Sequence, residues 1–311
     1  MLLIITPNPA LDRTMVLPGL RLGEANRTGE VLVTAGGKGL NVARAARALG
    51  QQAMVCAPLG GHIGEYVSHL AASEGLLGRW TSHRGGETRT CVLLVDPQAE
   101  DATALNEQGP ILSATDWQTF TAEVLTAAAS ADLSLLAGSL PLGVEAHQLA
   151  DLVVDLNSRG QRVLVDTSGP ALATALAARP YGVKVNAAEL GWVFGHRIES
   201  ISDAAEALER LRSRGISLAV VSLGARGCVA ADVTGVWHAR PPQVRVVSTI
   251  GSGDALHAGL ATGLLRGLPL ADALRFGVAC GTANTLTIGA GQINAAEVDR
   301  LQAEVTVTPI S

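Results

Sequence analysis

Four short apolar runs recur between residues 133 and 222 of this chain, each closed by small or polar residues. Leu133-Ser134-Leu135-Leu136 leads to Gly138-Ser139-Leu140-Pro141, and Arg162-Val163-Leu164-Val165-Asp166 leads to Thr167-Ser168-Gly169. Val183-Lys184-Val185-Asn186 precedes a short helix holding Glu189, and Leu218-Ala219-Val220-Val221-Ser222 runs into Leu223-Gly224. Helices are expected at 144–159 and 203–214 between these runs. Such strands lack polar alternation, so both faces are buried, as in a parallel sheet covered by helices on both sides. Strands at 2–6 and 53–58, with helices at 40–49, 63–74 and 114–130, extend the pattern to the first half; Ser113 is the expected N-cap of the last. The exceptions are 12–34, which alternates polar and apolar around Pro18-Gly19, and the strand beginning at Thr88. They predict a small sheet with one wet face. A meander at 228–231 and 236–239 and then three or four helical segments close the chain. The prediction is a doubly wound, mainly parallel α/β sheet, one domain over 1–311, with a β excursion at about 12–34 and 88–106.

Composition narrows the function classes. A net charge of −5 over 311 residues gives no electrostatic footprint for nucleic acid or an anionic membrane. No apolar run approaches the ~18–20 residues that span a bilayer. The start, Met1-Leu2-Leu3-Ile4-Ile5, reads as a buried strand rather than a signal peptide. Cys56, Cys91, Cys228 and Cys280 are far apart, as expected of core residues in a reducing cytoplasm. Of 23 basic residues only two, Lys38 and Lys184, are lysines. A chain that uses arginine elsewhere has a reason to keep these compact point charges.

The stretch Thr249-Ile250-Gly251-Ser252-Gly253-Asp254 opens a helical pattern. Gly251 and Gly253 admit a ligand close to the backbone, and the helix start offers free N–H groups, so an anion can bind there. Asp254 is repelled by such an anion. It is either a helix cap or a base that takes a proton from an attacking hydroxyl. The strand ends gather further candidates on one edge, where an open parallel sheet binds its ligands. Lys184 is placed to reach phosphates. Asn186 and Glu189, three apart, suit either a magnesium ion held partly through water or a capping box. Gly224-Ala225-Arg226-Gly227 is a tight turn or a nucleotide contact. Gly36-Gly37-Lys38-Gly39-Leu40-Asn41 is a second glycine-rich helix start, able to admit a polar acceptor near Asn41. Arg27 and Arg89 add two cations in the β excursion. No G-x-x-x-x-G-K-[ST] loop is present, and the third glycine of a dinucleotide fingerprint is missing after Gly253.

These motifs, in this order, resemble the ribokinase-like carbohydrate kinases, in the phosphofructokinase-B branch that includes 1-phosphofructokinase and tagatose-6-phosphate kinase. The resemblance spans essentially the whole chain. It rests on Asn8-Pro9-Ala10-Leu11-Asp12, Gly36 to Arg44, Glu87-Thr88-Arg89, Gly138 to Pro141, Asp166 to Gly169, Asn186 with Glu189, Val221 to Gly224, and Gly251 to Asp254. It implies a sugar-phosphate kinase with Asp254 as base and Gly251, Ser252 and Gly253 as anion hole. Asp12, Arg27, Gly37, Lys38, Asn41, Arg89 and Ser139 are then expected at the sugar phosphate. Lys184, Asn186, Ser222, Gly224, Gly227, Thr249 and Asn284 are expected at ATP, and Glu189 at Mg2+. The β excursion is expected to be a lid that makes a homodimer contact, from which Arg27 reaches the partner's site. The chain departs from the family pattern at three sites: Val185 replaces a proline, Ser252 an alanine, and Ala255-Leu256-His257 a different continuation, with His257 expected to face solvent. Fructose 1-phosphate is the first expected substrate, with tagatose 6-phosphate and fructose 6-phosphate as alternatives; an inactive sugar-phosphate sensor is the remote one.

Overall fold

The computed structural model describes residues 1–98 and 101–310; residues 99, 100 and 311, two of them inside the expected 88–106 segment, lie outside the described residues. In chain order the elements are β1 (Leu2–Ile5), β2 (Ala10–Val16), β3 (Val31–Gly36), α1 (Lys38–Ala48), β4 (Ala53–Leu59), α2 (Gly61–Ser73), β5 (Leu77–Ser82), β6 (Arg89–Asp96), β7 (Asp101–Asn106), α3 (Ala114–Ala128), β8 (Leu133–Ala137) and α4 (Ala146–Ser158). They continue with β9 (Val163–Asp166), α5 (Gly169–Ala177), β10 (Gly182–Asn186), α6 (Ala187–Phe194), α7 (Ile201–Ser213), β11 (Leu218–Ser222), β12 (Cys228–Asp232), β13 (Gly235–Arg240), α8 (Ser252–Leu265), α9 (Leu270–Asn284), α10 (Ala295–Glu304) and β14 (Thr306–Ile310).

Ten strands form one sheet in the order β14-β13-β12-β11-β10-β9-β8-β1-β4-β5. It is parallel from β11 to β5, and β12 to β14 add an antiparallel edge. Leu2, Leu3, Ile4 and Ile5 of β1 are all fully buried. Each such side chain stabilises by about 1.5–3 kcal/mol relative to an exposed one. Leu2 and Ile4 face one helical layer, with α1, α8 and α9; Leu3 and Ile5 face the other, with α3 and α4. Because β4 and β8 flank β1, the strand order reverses there, and a crevice opens beyond the carboxyl ends of β1 and β8.

The excursion is a separate four-stranded sheet, β3-β2-β6-β7. The strand pair expected over 12–34 is present, but β2 ends at Val16 and β3 begins at Val31, so Leu17 to Glu30, Pro18-Gly19 included, form a long connection. The closing segment also differs from expectation. After α8, α9 and α10 the chain returns as β14, pairing antiparallel with β13. Only an edge strand tolerates Pro309, which donates nothing to the ladder. β5 and α5 likewise carried no sequence expectation. Ser113 does cap α3, with Asp116 completing a capping box.

Candidate active site

The helix α8 starts at a left-handed Gly251, with φ at 80°. No side chain caps it. Asp254 therefore does not spend its carboxylate on the helix end, and the cap reading falls away. Its Oδ2 instead accepts from Asn41 Nδ2 at 2.9 Å, across from the first turn of α1. Asp254 is only 8% exposed. Burial first, and the nearby Asp166 charge, push its carboxyl up to about 6, while Lys38, Lys184 and the Asn41 bond hold it down. A carboxylate with that value is ionised at neutral pH yet basic enough to take a proton.

Behind it sits a charge cluster centred on Asp166, at the end of β9. Its Oδ1 accepts from Lys38 Nζ at 2.6 Å and its Oδ2 from Lys184 Nζ at 2.9 Å. Burial opposes the charge on Asp166, but Lys184, Lys38 and His257 hold its carboxyl well below the usual range. Burial likewise disfavours the Lys38 ammonium, but Asp166, Glu189 and Asp254 together raise it above its ordinary value. Lys38 is thus a fixed cation. Lys184 lies inside β10 rather than after it, and its Nζ stands 3.2 Å from where a Cβ on Gly253 would be. The two lysines of the chain flank one glycine-rich helix start.

His257 corrects its expectation: it is fully buried, with Nδ1 3.4 Å from Asp166 Oδ2. Burial lowers its pKa and keeps the ring neutral, although Asp166 pulls the other way. The solvent-facing expectation failed because Asp254 through Gly263 are all buried, so α8 has no wet face.

On the acceptor side, Gly37 takes φ 88° at the N-cap of α1, and a Cβ there would stand 3.3 Å from Pro9 Cα. Its N–H lies 3.4 Å from Asp12 Oδ2. Burial raises the Asp12 pKa, against the Gly37 bond and the Arg44 and Arg89 charges. Asn8, after β1, donates to Ser139 Oγ, after β8, at 3.1 Å, which bridges the two strand ends. Arg89 donates to the carbonyls of Asn8 at 3.0 Å and Glu107 at 3.1 Å, tying the lid to the β1 loop. Arg27 is exposed on the β2–β3 connection, and no described hydrogen bond or ion pair draws it to the Asp254 cluster.

On the other side, Asn186 and Glu189 do form a capping box on α6. Glu189 N donates to Asn186 Oδ1 at 2.8 Å, and Asn186 N to Glu189 Oε2 at 2.9 Å. Glu189 Oε1 is left beside Lys38 at 3.7 Å. Ser222 is opposite Asn186 in the β10–β11 register, and Gly224–Arg226 is a single 3-10 turn closed by Gly227 at φ 90°. Thr249 is exposed, and its carbonyl accepts from Ser252 Oγ at 2.8 Å. Asn284 is fully buried and works as a brace: it donates to Ile250 O at 2.8 Å and accepts from Gly291 N at 2.7 Å.

The arrangement joins a buried carboxylate, two lysines and a glycine-rich helix start, a set of groups that suits phosphoryl transfer to a hydroxyl. A family profile described as pfkB family carbohydrate kinase matches residues 7–296. The chain belongs to the pfkB family of carbohydrate kinases. It is 37% identical over 276 residues to a 1-phosphofructokinase of Rhodobacter capsulatus, covering 88% of this chain and 87% of that one. It is 32% identical over 306 residues to a Vibrio cholerae 1-phosphofructokinase, covering 98% and 96%. Phosphofructokinase-2 of Escherichia coli, solved with substrates and products, superimposes with a TM-score of 0.91 at 28% identity, covering 97% of this kinase and 98% of that chain. The kinase is a sugar-phosphate phosphotransferase, and ATP is its expected donor. Asp166, Arg44 and Glu74 were not singled out for roles from the sequence. The two lysines were the available signal for Asp166, since buried cations need a carboxylate.

Proposed function

We propose that this kinase transfers the γ-phosphoryl of ATP to the free primary hydroxyl of fructose 1-phosphate, giving fructose 1,6-bisphosphate. The observation that carries the chemistry is Asp254: buried, held by Asn41, and set at the start of a helix between two lysines. Asp254 takes the hydroxyl proton as the oxygen bonds to the γ-phosphorus. The bond to the bridging oxygen breaks and ADP leaves. The backbone of Gly251 to Gly253 and the Lys184 ammonium receive the charge on the phosphoryl in flight, and Lys38 holds the acceptor side. Asp12, Ser139 and Gly37 orient the sugar; Ser222, Gly224, Gly227 and Thr249 border the nucleotide. The fit for Mg2+ is an outer one. Glu189 keeps Oε1 free of the capping box, and among the described residues no group of three acidic, His or Cys side chains encloses an ion. An Mg2+ held by Glu189 through water and by the ATP phosphates would neutralise phosphate charge.

The choice of fructose 1-phosphate rests on the relatives at 32–37% identity that bear the 1-phosphofructokinase name. Turnover with ATP should favour it over fructose 6-phosphate and tagatose 6-phosphate by at least about tenfold in kcat/KM. A preference for either of the others overturns the substrate. Comparable turnover of plain fructose or ribose overturns the sugar-phosphate reading altogether.

The lid supports a homodimer. Cross-strand partners share a face, and one lid face carries Met15, Val31, Val92, Leu94 and Leu105. Val31 is 41% and Leu105 55% exposed. Sedimentation should show a dimer that Leu94→Glu converts to monomer; a wild-type monomer at micromolar concentration removes the proposal. A cytoplasmic location fits four cysteines that are all free and buried. No described helix is long and apolar enough to cross a membrane.

A further inference from the structure

Asn41 has two amide ends, and both are occupied. Its Nδ2 donates to Asp254 Oδ2 at 2.9 Å, and its Oδ1 accepts from Arg44 Nη1 at 3.0 Å. Arg44 lies one helical turn further along α1, with its side chain 11% exposed. All three of its guanidinium nitrogens donate. Nε donates to Glu74 Oε2 at 2.6 Å, Nη1 also to Ala290 O at 2.9 Å, and Nη2 to Ala35 O at 2.5 Å. Glu74 closes the ring by accepting from Ala35 N at 3.2 Å.

Each partner belongs to a different part of the machinery. Asn41 holds the base. Ala290 backs the anion hole: its Cα stands 2.6 Å from where a Cβ on Gly251 would lie. Ala35 lies near the end of β3, where the lid strand turns into α1. An amide beside a carboxylate can turn either its NH2 or its oxygen toward it, and the oxygen would repel the charge. Arg44 has only donors, so its presence on one side of Asn41 forces the NH2 toward Asp254.

We infer that Arg44, braced by Glu74, is a positioning residue for phosphoryl transfer: it orients the Asn41 amide so that Asp254 is held as a hydrogen-bonded carboxylate, and it ties that geometry to the root of the lid. The inference rests on Asp254 being the base. Nothing in Arg44 touches the reacting atoms.

The test uses purified full-length protein with ATP, Mg2+ and the best of the three sugar phosphates. Arg44→Met is expected to lower kcat by about 10²-fold, as misplacement of a catalytic group does, with the sugar-phosphate KM changed less than about threefold. The acid limb of kcat/KM should move to higher pH, because Asp254 loses a donor that favours its charged form. Arg44→Lys, which keeps charge and donors, should recover much of the loss and return the limb toward its wild-type position. Wild-type kcat and acid limb in folded Arg44→Met overturn the inference, as does a kcat loss with an unmoved limb, which marks a merely structural arginine. Where Arg44→Met fails to fold, Glu74→Gln decides. It turns one acceptor oxygen into a donor, so either Arg44 or Ala35 loses its partner. A kcat drop of about tenfold with the same limb shift supports the inference, and unchanged kinetics overturn it. Asp254→Asn run in parallel separates the two readings: retained activity there removes the base assignment, whereas its loss beside unaffected Arg44 variants removes only the positioning role.

Discussion

Asp254→Asn is expected to abolish phosphoryl transfer, lowering kcat by about 10²–10⁴-fold, the span that a positioned base supplies. Binding of the sugar phosphate should survive, since the amide keeps the shape of the side chain and an acceptor for Asn41. The same substitution should make the protein more stable. The Asp254 carboxyl is raised from 3.8 to about 6 by burial. Between these values the folded protein keeps a proton that the unfolded chain has released, so stability falls as pH rises through that window. Above pH ~6 the penalty of an ionised buried carboxylate is complete. Chemical unfolding at pH 8 should therefore find Asp254→Asn more stable than wild type by about 1–3 kcal/mol. The gain should vanish below pH ~4, where both proteins are neutral at this position. Wild-type kcat should show the mirror image, falling as pH drops through ~6. Full activity in Asp254→Asn, or equal stability at pH 8, contradicts the assignment. The folded state is strained where it works.

Gly251→Ala is the second large effect, and its cause is steric. The residue has φ 80°, and an added Cβ would lie 2.6 Å from Ala290 Cα and 2.7 Å from Gly291 N. Those neighbours are backbone, pinned by Asn284 and Arg44, so they yield only if the loop itself shifts. A left-handed alanine adds a backbone cost of about 1 kcal/mol. The start of α8 must then move, and the N–H groups proposed to receive the phosphoryl move with it. Loss of one such donor typically lowers kcat by about 10²–10³-fold. The sugar-phosphate KM should change far less, because Asp12, Ser139 and Lys38 stand on other elements. Steady-state kinetics separate the outcomes: a KM effect without a kcat effect would show that this turn binds acceptor rather than phosphoryl.

The catalytic end of this fold was legible because its chemistry is concentrated in short segments. Gly251 to Asp254 specify a tight helix start and a carboxylate within four residues, and local rules suffice to read both. The strand runs ending at Ala137, Asp166, Asn186 and Ser222 were equally readable, since unbroken apolar stretches have few other homes. What sequence could not convey was who stands opposite whom. Periodicity gives no partner for β14, a short edge strand that reads as a tail until β13 is beside it. The same blindness placed His257 in solvent. Its surroundings are set by packing on every side of α8, which a helical wheel over one segment does not contain. Asn186 and Glu189 showed the reverse ambiguity: the capping box uses one Glu189 oxygen and leaves the other outside it, beside Lys38, so neither reading excluded the other.

The bond between Asn41 and Asp254 joins positions 213 residues apart. A growing chain thus presents the proposed acceptor residues long before the proposed base. Contacts of such separation form late, because loop closure must precede them. Until α8 docks against α1, a partly made or truncated molecule has Lys38 and Asn41 but lacks the proposed base, Asp254. Activity is consequently a report on completed folding. A chain cut anywhere before Gly251 would be silent, and could not hydrolyse ATP through a half-built centre while its synthesis was still under way.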